Sequence, residues 1–262
     1  MLDFTAVKFK KSYVGGKEAP GVYQKIINEI RPHDIFVSGF LGHCAIMRFK
    51  ISANINIGID IDAAVIAEWN DSCSDGVELR NSDFISDIES LINAMGSGKR
   101  MVIYCDPPYR MDSIKADRKL YKCTMQDSWH EKFLDLIVKI SDTAAVDILV
   151  SHYPDKVYEE KLSNWRVVEY YAPTRHGKVR ELLFMNYNHT SGKLHDYRYL
   201  GDNKDERYNL KHRTVKNLIR KISGYEVRKR QAVIHYLLIY LKDHMVSAAV
   251  NESNIDFSPD GK

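Results

Sequence analysis

The sequence predicts an α/β fold: a mostly parallel sheet with helices on both faces, closed by an antiparallel C-terminal hairpin and followed by a small basic helical region. Three observations predict it. Short apolar runs of strand length alternate with helix-spaced segments as far as residue 187. The last two runs, "WRVVEYYAP" (165 to 173) and "ELLFMNY" (181 to 187), are joined across "TRHGK" with no room for a helix, which makes them a hairpin. Beyond them the charge changes. From Lys193 to Lys242 there are thirteen Lys and Arg against five Asp and Glu, a surplus of eight, so in a chain of net charge +3 the remainder stands at −5.

In chain order, "DIFVSGFLG" (34 to 42) reads as a strand entering a glycine turn, and "INIGIDID" (55 to 62) as a second strand ending in acids. "AAVIAEWN", which follows it, has helical spacing. "MVIYC" (101 to 105) and "AVDILVSHY" (145 to 153) are two further buried strands. After the hairpin, "KDERYNLKHRTVKNLIRKI" and "YEVRKRQAVIHYLLIYLKD" are amphipathic helices divided at Ser223-Gly224, and their apolar residues Leu218, Val233, Leu237 and Leu241 are expected to pack inward. "NESNIDFSPDGK" (251 to 262) reads as a loose tail. The expected organisation is a domain over 1–190, a basic helical region over 191–250 and a tail over 251–262.

At 262 residues and 44% hydrophobic, the chain has enough apolar surface for a real core. Its four cysteines, Cys44, Cys73, Cys105 and Cys123, form no C-x-x-C pair, which argues against a metal site or a disulfide framework and for a reducing, cytoplasmic setting. The best apolar run, "HYLLIYL" (235 to 241), is too short to span a bilayer, so no membrane partner is expected.

The stretch that carries chemistry is "YCDPPYRM" (104 to 111), at the carboxyl end of a strand, where open α/β sheets hold their ligands. Pro107 and Pro108 donate no backbone N–H and cannot extend the strand, so they fix a stiff turn with free acceptors. With Asp106 and Tyr109 beside it, such a turn could accept the hydrogens of an exocyclic amine while the ring stacks on the phenol. Acceptors matter because the lone pair of an adenine amine is delocalised, and accepting its hydrogens localises that pair for attack. An ordinary strand exit is the alternative reading of the same four residues. Cys105, inside the apolar run, reads as a small buried hydrophobe.

With its neighbours, this turn resembles the DNA adenine N6-methyltransferase family, the Dam-like amino-methyltransferases, over roughly residues 12 to 187. The resemblance is carried by "SYVGGK" (12 to 17), "VSGFLGHCA" (37 to 45), "GIDID" (58 to 62), "NSDF" (81 to 84) and "CDPPY" (105 to 109), in that order. It implies a Rossmann-like methyltransferase sheet, S-adenosylmethionine as cofactor, and methyl transfer to adenine N6 in DNA after base flipping. It implies catalytic roles for Asp106, Pro107, Pro108 and Tyr109, and cofactor-binding roles for Tyr13, Lys17, Ser38, Gly39, Phe40, Gly42, Asp60 and Asp83. The chain departs from the family where His43 replaces a small residue of the cofactor loop. A turn or cap role is the alternative for Asp60 and Asp83, and Asp62 reads more readily as a cap.

Gly39 and Asp106 are too close in sequence for a recognition domain between them, so the basic end is the expected surface for double-stranded DNA. Lys211, Arg213, Arg228, Lys229 and Arg230 are its candidate phosphate contacts, joined by Arg110, Lys115, Arg118 and Lys119 after the turn and by Arg175 and Lys178 in the hairpin. A basic amphipathic helix is also commonly a solvated face. An RNA adenine methyltransferase, and a catalytically silent nucleic-acid-binding module on the same fold, remain the rival readings. The oligomeric state is not written in the sequence.

Overall fold

The computed structural model describes Val7, Phe9 and residues 16–72, 76–110, 125–174, 177–188, 193–201 and 203–250, with backbone alone at 174 and 242–250. Helices α1 (Val22–Ile27), α2 (Ala45–Phe49) and α3 (Ala63–Ser72) alternate with strands β1 (Ile35–Ser38), β2 (Ile55–Asp60) and β3 (Glu78–Asn81). Then come α4 (Phe84–Ala94), β4 (Met101–Cys105), α5 (Asp127–Ser141), β5 (Val146–His152) and α6 (Lys156–Lys161), and the hairpin of β6 (Arg166–Thr174) and β7 (Gly177–Met185). The seven strands form one sheet in the order β3-β2-β1-β4-β5-β7-β6. Strands β1 to β5 pair in parallel, and β7 runs antiparallel to both β5 and β6. This is the Rossmann-like architecture expected, with its antiparallel closing hairpin.

The central strands are mostly apolar because both faces of the sheet are covered. β1, β4 and β5 are buried at every position. Alternate side chains enter two cores: Phe36, Val102, Tyr104 and Leu149 pack with α1, α2 and α3, while Val37, Ile103, Cys105, Ile148 and Val150 pack with α4, α5 and α6. Strand β3 sits at the edge as "ELRN", with no buried residue, and no apolar run announces it.

The chain divides into two compact units. The first holds residues 1–188 and 194–199, the second 189–193 and 200–262. The segment Leu194–Tyr199 therefore goes with the sheet, beyond the expected boundary at 190. Its hydrogen bonds explain why: His195 N–H donates to Ile30 O at 2.9 Å, Asp196 accepts from Ile51 N–H at 3.0 Å, and Tyr199 O accepts from Asn28 at 2.8 Å. In the second unit, α7 (Lys204–Tyr208), a π-helical turn (Asn209–Thr214) and α8 (Val215–Ser223) precede α9 (Val227–Val250). The break between α8 and α9 falls at Gly224, the C-cap of α8. No helix among the described residues is long and apolar enough to cross a membrane.

Candidate active site

The strand order reverses between β1 and β4: the chain winds outward through β2 and β3 on one side, and through β4 and β5 on the other. The carboxyl ends of those two strands are where such sheets open a crevice. The loop after β1, Asp60 at the end of β2 and Asp106 after β4 all converge there.

Asp106 does not stand alone. Lys17 Nζ donates to its two oxygens at 2.9 and 2.8 Å and to the Tyr109 hydroxyl at 2.6 Å. Lys17 also lies 3.3 Å from Glu181 Oε2 on β7. The Tyr109 hydroxyl donates to the same Glu181 oxygen at 3.1 Å, as does Tyr170 from β6 at 2.7 Å, and Ser151 hydrogen-bonds Tyr170. Two carboxylates thus share one ammonium. The Asp106 side chain is 19% exposed, against 3% for Lys17 and 5% for Glu181, so Asp106 is the member a ligand can reach. Burial pushes the Asp106 carboxyl up to about 6; Lys17 pulls it down and Glu181 pushes it further up. Burial alone would lower Lys17, but Asp106 and Glu181 outweigh it and hold the lysine charged.

The structure thus places Lys17, a cofactor-side residue by the family resemblance, directly against Asp106 and Tyr109 of the turn. Glu181 and Tyr170 were not singled out from sequence. The signal for Glu181 was present: in β7 it shares the period-two face of Leu183 and Met185, both buried, so an acid points into the core there. Tyr170 is its cross-strand partner.

The turn is braced from behind. The His152 Nε2 receives the Arg110 N–H at 3.3 Å, and its ring stacks on Tyr158 at 3.8 Å. Burial lowers His152 to about 3, so it is neutral. Arg110 was expected to meet phosphate. Instead it bridges Asp127 and Asp155, at 3.1 Å each, with a side chain only 11% exposed, and acts as an internal clamp between the turn, α5 and the start of α6. The ring of Tyr109 is 5% exposed, covered by Tyr153 at 4.0 Å and met edge-on by His152, so a base cannot stack on it without moving Tyr153.

Among the residues expected to meet a cofactor, Gly39 N–H pairs with Tyr104 O, and a Cβ at Gly39 would sit 2.6 Å from the Phe84 ring, so this glycine serves close packing. Phe40 packs among Phe84, Trp129 and Phe133, and Ser38 is fully buried. Gly42, at φ +38°, donates its N–H to Asp60 Oδ2 at 2.8 Å, and Asp60 Oδ1 accepts from Asp62 N–H at 2.9 Å. The carboxylate also accepts from Ile61 N–H and keeps a lone pair for a ligand hydroxyl. Burial raises the Asp60 carboxyl. Asp62 accepts from Ala64 N–H at the start of α3, the cap role expected of it. Asp83 caps α4 through Ile85 N–H at 2.9 Å and accepts from Trp129 Nε1 at 3.2 Å. His43 stacks on Phe9 at 3.8 Å and pairs with Glu68 at 2.7 Å, while Trp69 holds Gly42 O at 2.6 Å. The loop is thus fixed by aromatic packing where the family has a small residue. Tyr13 lies outside the described residues. Among those described, no cluster of His, Cys, Asp and Glu is placed to hold a metal ion.

No protein-family model and no curated protein matches this chain. Solved structures similar to it include an rRNA methylase from Streptococcus thermophilus, 13% identical, covering 62% of this chain and 93% of that one at a TM-score of 0.41. Another is the 23S rRNA methyltransferase ErmE, 12% identical, covering 68% and 70% at 0.41. A third is magnesium protoporphyrin IX methyltransferase from Synechocystis with bound S-adenosylmethionine, 12% identical, covering 63% and 75% at 0.39. Likenesses this distant leave substrate and mechanism to be read from the chain's own residues.

Of the nucleic-acid candidates, Lys115, Arg118, Lys119 and Arg175 lie outside the described residues. Lys178 is exposed on β7. In the second unit Lys211, Arg213, Arg228 and Lys229 are exposed. Arg230 is half-buried and donates to Tyr225 O at 3.2 Å, and the Lys229 ammonium lies 4.8 Å from the Tyr225 ring. The inward packing expected of these helices is not what the structure has. Leu218 is 55% exposed and Leu241 50%, and α7 and α8 bury no residue. A unit of so few helices encloses too little volume to cover an apolar stripe.

Proposed function

We propose that this chain transfers a methyl group from S-adenosylmethionine to the N6 amine of adenine in double-stranded DNA, after turning the base out of the duplex. The observation that carries the reading is Asp106: a partly exposed carboxylate on a proline-stiffened turn, at the strand-order reversal, held by a buried ammonium. S-adenosylmethionine, when bound, supplies a methyl carbon made electrophilic by its sulfonium. The residues fit such a cofactor. Gly42 at positive φ brings backbone close, Asp60 retains a lone pair for a hydroxyl, and the negative side chains at the crevice favour a cation.

Asp106 accepts a hydrogen of the amine, which concentrates the lone pair on nitrogen, and takes the proton that nitrogen sheds once it carries the methyl. Pro107 and Pro108 fix its position and leave their carbonyls free as a second acceptor group. The enzyme's main contribution is orientation.

The test is methyl transfer from tritiated S-adenosylmethionine to duplex DNA and to RNA, followed by nucleoside analysis. Label in N6-methyladenine of DNA is the expected result. Label confined to RNA would move the same chemistry to that polymer, and no transfer to either would end the reading.

A further inference from the structure

Lys17 faces two carboxylates, and only one of them can meet a substrate. In this arrangement its ammonium lies on both oxygens of Asp106, at 2.9 and 2.8 Å, the same oxygens an incoming amine requires. Glu181 already pairs with the same nitrogen at 3.3 Å, more loosely than Asp106 does, with 5% of its side chain exposed. It is anchored by the Tyr170 hydroxyl at 2.7 Å and the Tyr109 hydroxyl at 3.1 Å, and cannot swing out to touch a ligand.

We propose that Glu181 is a positioning residue that takes over the Lys17 ammonium when the substrate amine docks on Asp106, freeing a carboxylate oxygen for that amine. The proposal rests on the adenine-amine reading of the site. Pulling an ammonium off a lone buried carboxylate separates charge where little water can solvate it, which is costly. A second carboxylate within reach turns that separation into a short shift from one anion to another. It also keeps the cluster at net −1, which favours the positive charge that builds on the amino nitrogen during attack. With Asp106 as its sole partner, Lys17 would make the site neutral and leave the carboxylate occupied.

The groups around Asp106 are Lys17 from the N-terminal segment, Cys44 at the start of α2, and Tyr104 and Cys105 on β4. Tyr109 in the turn, His152 and Tyr153 at the end of β5, Tyr170 on β6 and Glu181 on β7 complete the set. His152 is neutral, so Lys17 is the one cation among these described groups. Removing the Glu181 charge therefore removes the like charge nearest Asp106 and lowers the pH at which Asp106 ionises.

The experiment measures kcat and KM against pH for the wild-type chain, Glu181→Gln, Glu181→Asp, Lys17→Met and the Lys17→Met/Glu181→Gln pair, with circular dichroism as the folding control. Glu181→Gln should lower kcat about tenfold, the rate equivalent of one pKa unit, with KM for S-adenosylmethionine unchanged. Its acidic limb should move to lower pH. Glu181→Asp keeps the charge, so it should hold the limb in place and recover most of kcat; this variant decides if the Gln protein does not fold. In the Lys17→Met background, Glu181→Gln should add no further loss of kcat. An active wild type whose acidic limb is unmoved by Glu181→Gln, or whose kcat falls equally with and without Lys17, overturns the role of Glu181 alone. A wild type that methylates adenine in neither polymer overturns the reading beneath it.

Discussion

In the proposed reaction Asp106 carries the chemistry, and its environment sets a pH window. Burial pushes its carboxyl up to about 6, and the ionised form alone can take the proton that the amine sheds. Activity should therefore be full above that value and fall as pH drops through it, which a pH profile of kcat would register. Asp106→Ala should remove at least about 10²-fold of turnover while leaving S-adenosylmethionine affinity, read by calorimetry, nearly intact. Tyr109 was expected to offer its ring face to a base, so that a phenylalanine there would be mild. Its hydroxyl instead receives Lys17 and donates to Glu181 in a buried network. Tyr109→Phe should accordingly cost about 0.5–1.5 kcal/mol in urea unfolding, because it removes one hydroxyl from a network whose other members keep partners. The motif was legible in sequence because five neighbouring residues spell it. Its electrostatics were not, since Lys17 and Glu181 lie 89 and 72 positions from the atoms they meet.

At the scale of elements, legibility followed burial. β1, β2, β4 and β5 could be read directly because parallel strands covered on both faces are near-continuous apolar runs. β3 is a polar edge strand, and what marked its place was the acid that follows it. In α8 and α9 the spacing was read correctly as helical, but the inward packing inferred from it was not, because periodicity states which side is apolar and not what covers that side. The basic residues of α9 nevertheless remain at the surface. If they contact phosphate, replacing Arg228, Lys229 and Arg230 by Gln should weaken DNA binding more at low salt than at high salt. Each lost contact should flatten the slope of log affinity against log salt by about 0.9. Arg230 also ties Tyr225 O, so circular dichroism must accompany the salt series. A folded triple variant with unchanged slope would make this stretch a solvated face.

For the sheet unit as a whole, one buried cation sets a dependence of stability on pH. Lys50 is 3% exposed, donates to Ile51 O at 2.9 Å and sits 4.2 Å from the Phe36 ring, against the segment that carries His195, Asp196 and Arg198. Burial lowers its pKa to about 7, with Cys44 and Asp196 opposing and Arg198 adding to the fall. In the unfolded chain the same amine titrates near ~10.4. Below about 7 both states hold the proton, and the full cost of burying the charge is present. Between there and the unfolded value the native state releases the proton while the unfolded state keeps it, so stability rises with pH, by up to about 1.4 kcal/mol per unit. Nothing in the sequence marked Lys50, because a lysine after "MRF" reads as a surface residue until Leu194–Tyr199 folds back over it. Lys50→Met should keep the volume and remove the charge. Its melting temperature should exceed that of the wild type at pH 6 to 7, and the two should converge as pH rises toward ~10. Parallel melting curves with a constant offset would show that Lys50 is charged and satisfied in the native protein.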